Sequence, residues 1–377
     1  MAKELSFDDL NSELEKNTKT FSLGSRMDKS TFSDVTEFIP TGNYALNACI
    51  SGNLFGGWPN NRTMAIAGPS GTGKTFLTLN TVKRAVDMGY NVVYYDSEAA
   101  IDKALMEKFG IDLTAVRYEP VATVQEFRTK ITELTDLLQK RLRKGENIPK
   151  LMVVLDSAGS LATEKEVGDA LSASDKADMT RAKVLKSIFR IITVRLAECK
   201  VPFIFTNHTY MTQSFISQAV AGGGTGPEYS ASIILFLTKA QLKEGDSKTG
   251  IIVTAKPNKN RFAKPTPIKF HINYQKGMNP YVGLEQYIDW EEIGITKGKI
   301  EKGEFVPMKT ARNWICKHLK DETVPNKDFF TEKVFTKEVL EKIDKKIYDI
   351  FNYGEVDESV GNYLELSDQI ELETDVQ

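Results

Sequence analysis

The stretch Gly68-Pro-Ser-Gly-Thr-Gly-Lys-Thr75 constrains this chain more than any other. It follows the apolar run Met64-Ala-Ile-Ala67 and opens a helical pattern from Phe76. Its form is G-x-x-x-x-G-K-[ST], with strand, glycine-rich loop and helix in the order that a phosphate-binding loop requires. The glycines let the backbone turn so that several N–H groups point at one phosphate chain, and the following helix N-terminus adds a positive dipole end. Gly68, Pro69, Ser70, Gly71, Thr72, Gly73, Lys74 and Thr75 are therefore the expected ATP site. Lys74 would reach the β- and γ-phosphates and the Thr75 hydroxyl would ligate Mg²⁺.

A length of 377 residues leaves room for a large core domain with smaller additions. At 41% hydrophobic and 27% charged residues the composition is that of a soluble globular protein. No apolar run is long enough to cross a bilayer, and Met1-Ala-Lys-Glu-Leu-Ser is not a signal-peptide core, so no membrane partner and a cytoplasmic location are expected. Cys49, Cys199 and Cys316 lie far apart, as do the three histidines, which argues against a disulfide framework or a zinc site. The formal charge of −2 is unevenly spread. Residues 347–377 hold nine acids and no Lys or Arg; without them, 49 basic residues face 42 acidic ones. The body is basic and the tail acidic.

Residues 1–35 are polar with two short amphipathic pieces, around Phe7 to Leu14 and Phe21 to Met27. They form an arm that either frays or docks on a neighbouring subunit. Phe38 to Trp58 is turn-rich, with Pro40, Gly42, Gly52, Gly56 and Gly57 leading into the first core strand. Strands are expected at Asn91–Tyr95, Leu151–Leu155 and Val201–Thr206, alternating with helices after the loop, over 101–109, over 124–142 and over 179–199. In the last of these Val184, Leu185, Ile188, Ile191, Ile192 and Leu196 face inward. The alternation predicts an α/β, doubly wound domain with a mostly parallel sheet. Ile233–Leu237, Ile251–Ala255 and Ile268–Ile272 then suggest consecutive antiparallel strands, with Gly245-Asp246 as a turn. From about Glu285 to Tyr353 the chain is Lys- and Glu-rich and partly helical, a small second domain.

Asp156 ends an apolar strand, where a carboxylate can hold the Mg²⁺ shell; a turn or cap aspartate is the bland alternative. Glu98, just past the neighbouring strand, can orient the water that attacks the γ-phosphate, or be a plain ion-paired glutamate.

Together the phosphate loop, Tyr95-Asp-Ser-Glu98, Leu155-Asp-Ser157, Asp178-Met-Thr-Arg-Ala-Lys183, Thr206-Asn-His-Thr209 and Gly222-Gly-Gly-Thr-Gly-Pro227 occur in an order that resembles the RecA family of recombinases, most of all its bacteriophage branch, the UvsX recombinases. The resemblance covers roughly residues 35–290. It implies a RecA-like ATPase core with Glu98 as catalytic base and Asp102 at the adenine edge. His208 would stand at the γ-phosphate sensor position, a glutamine in cellular members. Without the resemblance His208 would pass for a buried, satisfied histidine.

Two polar loops, about Thr163–Asp178 and Tyr210–Gly226, would be ordinary surface connections on composition. Both leave the nucleotide-bearing end of the sheet, and the resemblance implies that they line a single-stranded DNA channel. Arg181 and Lys183 would supply charge. Tyr210, Gln213, Phe215, Gly222 and Gly223 would make contacts, the glycines bringing bare N–H groups to phosphates. The basic run Lys256-Pro-Asn-Lys-Asn-Arg261 is a solvated turn on charge alone. The resemblance implies that Lys256, with Lys259 and Arg261 beside it, reaches the γ-phosphate of a neighbouring subunit.

The division expected is therefore 1–35 arm, 36–284 ATPase core, 285–353 small C-terminal domain and 354–377 acidic tail. The tail is either a solvated end, a competitor with DNA for basic surfaces, or a dock for a single-strand-binding protein or a loading mediator. The implied function is a DNA-dependent ATPase with ATP and Mg²⁺ as its cofactors. It would form a helical filament on single-stranded DNA and exchange strands with a double-stranded DNA partner. A RecA-fold ring helicase and a P-loop small-molecule kinase are the alternatives.

Overall fold

Apolar runs closed by glycine or aspartate become the strands at the centre of this computed structural model, which describes residues 6–17, 27, 30, 32–171, 180–211, 219–221, 230–320 and 322–354. In chain order come α1 (Phe7–Asn17), β1 (Phe38–Ile39), α2 (Tyr44–Ser51), β2 (Trp58–Pro59), β3 (Thr63–Gly68), α3 (Lys74–Asp87), β4 (Asn91–Asp96) and α4 (Lys103–Lys108). They are followed by β5 (Val116–Pro120), α5 (Val124–Arg143), β6 (Leu151–Asp156), α6 (Glu164–Leu171), α7 (Thr180–Glu198), β7 (Phe203–Met211) and β8 (Ala219–Ala221). Then come β9 (Ile233–Glu244), β10 (Ser247–Asn260), β11 (Ile268–Asn273) and β12 (Gly277–Met278). The last are β13 (Ile295–Glu301), β14 (Glu304–Pro307), β15 (Asn313–Cys316), β16 (Thr323–Pro325) and α8 (Lys337–Phe351).

The main sheet has the order β12-β11-β10-β9-β3-β7-β6-β4-β5, with β8 hydrogen-bonded to β7 beyond the sheet proper. From β9 to β5 the neighbours run parallel, and β9 to β12 pair antiparallel. The expected mostly parallel α/β sheet is present, and the two-residue side-chain period of a strand explains its two cores. Met64, Ile66, Val92, Tyr94, Met152 and Val154 point to one face, packed with α2, α3 and α8. Ala65, Val93, Tyr95, Val153, Leu155 and Phe205 point to the other, under α5 and α7. A strand covered on both faces must be apolar throughout, and β3 and β6 are buried at every residue.

Several local expectations change. In α7 the buried stripe is Leu185, Ile188, Phe189, Ile192 and Leu196, while Ile191 is 45% exposed. At about 100° per residue Ile191 falls on the flank of that stripe, and Phe189 takes the inward place. The turn-rich stretch before β2 contains α2, capped by the Asn43 side chain on the Leu46 N–H and ended by left-handed Gly52. Half of the first polar loop is helix α6, begun by a capping box in which Thr163 Oγ1 accepts from Glu166 N–H and a Glu166 carboxylate oxygen accepts from Thr163 N–H. The stem of the second is strand, Tyr210 pairing with Val220. β9 and β10 run well past their apolar halves, joined at the expected Gly245 turn.

Residues 295–325 are a four-stranded antiparallel sheet, β14-β13-β15-β16, and the helical part of this partly helical segment is α8. Its strands are short and half-solvated, so lysines and glutamates alternate with buried residues such as Ile295 and Ile315 and hide the β period. α8 then returns to the core. Phe351 is fully buried, Asp344 accepts from Leu54 N–H at 2.7 Å, and Asn352 donates to the Gly52 carbonyl at 2.9 Å. The second amphipathic piece of the arm, most of it, and residues 355–377 lie outside the described residues.

Candidate active site

Parallel pairing places the C-terminal ends of successive strands side by side, and the polar residues of the site stand there. Gly68 is in register with His208 across β3 and β7, and Asp96 with Asp156 across β4 and β6. After Gly68 the chain turns through Gly71 (φ +71°) and Gly73 (φ +91°) before α3 begins at Lys74. A Cβ on Gly68 would stand 2.5 Å from the Leu237 carbonyl, and one on Gly73 2.6 Å from an Ile272 methyl, so this loop needs its glycines.

Lys74 is buried, and its ammonium donates to the Gly68 and Pro69 carbonyls at 3.0 and 3.1 Å and lies 3.3 Å from His208 Nδ1. Burial lowers its pKa below the usual lysine value, while Glu98 and Asp156 oppose that shift. An anion brought to this loop would oppose that shift and favour the charged form.

Asp156 is held at both carboxylate oxygens. Oδ2 accepts from Thr75 Oγ1 at 2.8 Å and from Tyr94 OH at 3.0 Å, and Oδ1 accepts from Thr206 Oγ1. A threonine hydroxyl beside a fixed carboxylate is a hard-oxygen donor pair that suits Mg²⁺, an ion that takes one or two protein oxygens and completes its shell with phosphates and water. The glycine loop, the lysine and this pair fit a magnesium–nucleoside triphosphate.

Glu98 follows β4 on a short segment held by Asp96, whose Oδ1 accepts from Glu98 N–H at 2.9 Å. The Glu98 Oε1 atom lies 2.8 Å from His208 Nε2 and also accepts from Ser157 and Ser160. Burial alone would raise its pKa, but these hydrogen bonds and the His208 charge outweigh it and hold the carboxyl below its usual range. Glu98 is thus an ionised acceptor at neutral pH, 27% exposed at its side chain. The structure brings Lys74, Thr75, Glu98, Asp156 and His208 into one constellation. Of the residues that hold it, Tyr94 and Ser160 were not picked out in the sequence, and Asp96, Ser157 and Thr206 stood in the quoted motifs without a role. A hydroxyl acquires such a role only from its neighbour across the sheet, and no spacing announces it.

Other expected residues lie apart. Asp102 caps α4 by accepting from Leu105 N–H at 2.7 Å, beside a cavity of about 360 Å³ lined by Ile101, Met106 and Tyr118. Arg181 and Lys183 are in the first turn of α7, where exposed Lys183 borders the cleft between α5 and α7 with Arg128 and Arg195. Tyr210 lies in β7, and its side chain, with Gln213, Phe215, Gly222 and Gly223, lies outside the described residues. Lys256 is exposed on β10 in the row of Phe236 and Ala67, next to the loop. Lys259 stands in the row of Ala65, nearer the other end of β3. Burial and then the Arg261 charge lower the pKa of Lys259 and of Arg62, so Lys259, Arg261 and Arg62 form one cationic group.

Residues 8–279 match the RecA N-terminal domain family. The chain is 35% identical over 280 residues to the recombination and repair protein of Enterobacteria phage T4, covering 73% of this chain and 69% of that one. It is 30% identical over 270 residues to the RecA protein of Arthrobacter sp. (strain FB24), 71% of each chain. To the RecA protein of Streptomyces ambofaciens it is 28% identical over 270 residues, 71% of this chain and 67% of that one.

Proposed function

The chain belongs to the RecA family and is an ATP-dependent recombinase, a DNA-dependent ATPase that acts on DNA and forms filaments, and on that premise we propose how its residues divide the work. The single observation that carries the proposal is the constellation at the strand ends. An ionised glutamate, a buried lysine and a hydroxyl–carboxylate pair surround a glycine loop.

Gly68 to Thr75 bind the triphosphate of ATP, with Lys74 on its β- and γ-phosphates and Asp102 at the base. Thr75 and Asp156 hold Mg²⁺, which supplies charge neutralisation on the phosphate oxygens when bound. Glu98 takes the proton of the attacking water, and His208 senses the γ-phosphate. It sits 2.8 Å from Glu98 and 3.3 Å from Lys74, so a turn of one ring changes both contacts. Lys256, Lys259 and Arg261 act on the nucleotide of a neighbouring copy. For Lys259 this is supported by its place toward the other end of β3 from the loop of its own chain.

The segments 163–178 and 210–226 contact single-stranded DNA, with Arg181, Lys183, Tyr210, Gln213, Phe215, Gly222 and Gly223 as the contact residues. Residues 1–35 dock on the adjoining subunit. The filament pairs its strand with a homologous duplex in the host cytoplasm, assisted by a single-strand-binding protein and a loading mediator. No helix among the described residues is long and apolar enough to cross a membrane.

The test is the rate of ATP hydrolysis with and without homopolymer single-stranded DNA, in the full chain and in Glu98→Gln. We expect strong stimulation by DNA and a loss of roughly 100-fold or more in the variant, at the scale of an essential general base, with nucleotide binding retained. Hydrolysis indifferent to DNA, or undiminished in the variant, would overturn the assignment.

A further inference from the structure

Three donors converge on a single oxygen of Glu98. Ser157 Oγ lies 2.6 Å from Oε1, Ser160 Oγ 2.8 Å and His208 Nε2 2.8 Å, and none of the three falls on Oε2. The two serine hydroxyls are 2.9 Å apart. Each carries one proton, and an ionised carboxylate is a better acceptor than a hydroxyl, so both protons go to Oε1.

The supports differ in what else they do. His208 also meets Lys74, and in the reading above it turns toward the γ-phosphate, leaving Glu98 when it does so. Ser157 follows Asp156 directly, is fully buried, and is tied by its own N–H to Ser97 Oγ at 2.8 Å. Ser160 is exposed and ends the short turn Ala158–Ser160, which leads through Leu161 into α6 and the segment read as a DNA loop. The serine pair is the support that remains when the histidine is engaged elsewhere. Ser160 is its member on the side of the DNA loop.

We propose that Ser160 is a positioning residue for ATP hydrolysis. Its hydroxyl, with that of Ser157, fixes Oε1 of Glu98 and so presents Oε2 to the attacking water. In the step so arranged the water oxygen bonds to the γ-phosphorus, its proton passes to Oε2, and the bond from the γ-phosphorus to the bridging oxygen breaks, leaving ADP and phosphate. The proposal rests on the reading of Glu98 as the base.

The experiment measures kcat and KM for ATP at saturating homopolymer single-stranded DNA, using the full chain as wild type, Ser160→Ala, Ser160→Thr, Glu98→Gln and the Ser160→Ala/Glu98→Gln double variant. Loss of one hydrogen bond to a charged group corresponds to about tenfold in rate. Ser160→Ala should therefore lower kcat about tenfold with KM within about twofold, and Ser160→Thr should restore most of it. In the Glu98→Gln background Ser160→Ala should have no further effect, because a residue that acts through another is silent once that other is gone. An unchanged kcat in Ser160→Ala, a fall carried by KM, or a further tenfold loss in the double variant overturns the proposal while leaving Glu98 as base. A Glu98→Gln variant as fast as wild type removes the base and the proposal together.

Discussion

Asp156 shows how much of this site depends on hydroxyls. Thr206, Tyr94 and Thr75 hold its two oxygens in a buried setting where an unfilled lone pair is costly. Thr206→Val keeps the shape and removes one donor. It should raise the Mg²⁺ concentration for half-maximal nucleotide binding by about tenfold, the low end for loss of a partner that orients a metal ligand; a magnesium titration of nucleotide affinity checks this. Glu98 makes a pH-dependent contribution of known sign. Its folded pKa lies below the ordinary 4.5, so the stability it adds is fully present above that value and is lost as pH falls through the lowered one. The stability difference between the chain and Glu98→Gln should be constant near neutrality and shrink in acid, as denaturant titrations at several pH values would show.

At the level of elements, α8 is a clasp rather than an appendage. Phe351 and Ile347 are fully buried in the cluster that also holds Ile39, Leu46 and Phe270, and Asp344 takes the Leu54 N–H of the loop after α2. Phe351→Ala should cost about 3–5 kcal/mol, the range for truncating a large buried aromatic, measured as a shift of the denaturation midpoint. The partly helical character of this stretch was legible, but not its return to the core, because it is rich in lysine and glutamate, as a surface segment would be. The helix is nevertheless strongly one-sided, with Val339, Leu340, Ile343, Ile347 and Phe351 inward. α2 and α6 were missed for a different reason. Their signals, Asn43 with Gly52 and Thr163 with Glu166, are end caps, and glycine and charge around them suggested turns.

For the whole molecule, charge is the long-range variable. Eight of the nine acids of residues 347–377 lie beyond Gly354, so ending the chain there changes the formal charge from −2 to +6. If the tail competes with DNA, single-stranded DNA affinity should rise in the truncated chain at low salt, and the gain should vanish as salt screens both interactions. Equal affinities across a salt series would remove that role. Truncation after residue 284 should behave differently. It strips α8 and the β13–β16 sheet from a shared hydrophobic cluster, so the remaining chain should lose its cooperative thermal transition.

The sequence by itself determined where the candidate site lies, at the strand ends. Glu98, Asp156 and His208 sit where an apolar run meets polar residues and Lys74 and Thr75 follow the glycine loop, and in a parallel sheet such positions converge; the place of the candidate site could therefore be read from the strands, while the role of His208 came from the family resemblance. Tertiary structure alone decided which hydroxyls hold those groups, which face Ile191 takes, and that residues 334–351 close the core. Each of these depends on a neighbour distant in sequence: Ser160 meets Glu98 across 62 positions, and Asn352 meets Gly52 across 300. Local periodicity specifies an element and its apolar side, but a contact between elements exists only once the sheet order and the packing of its two faces have brought them together.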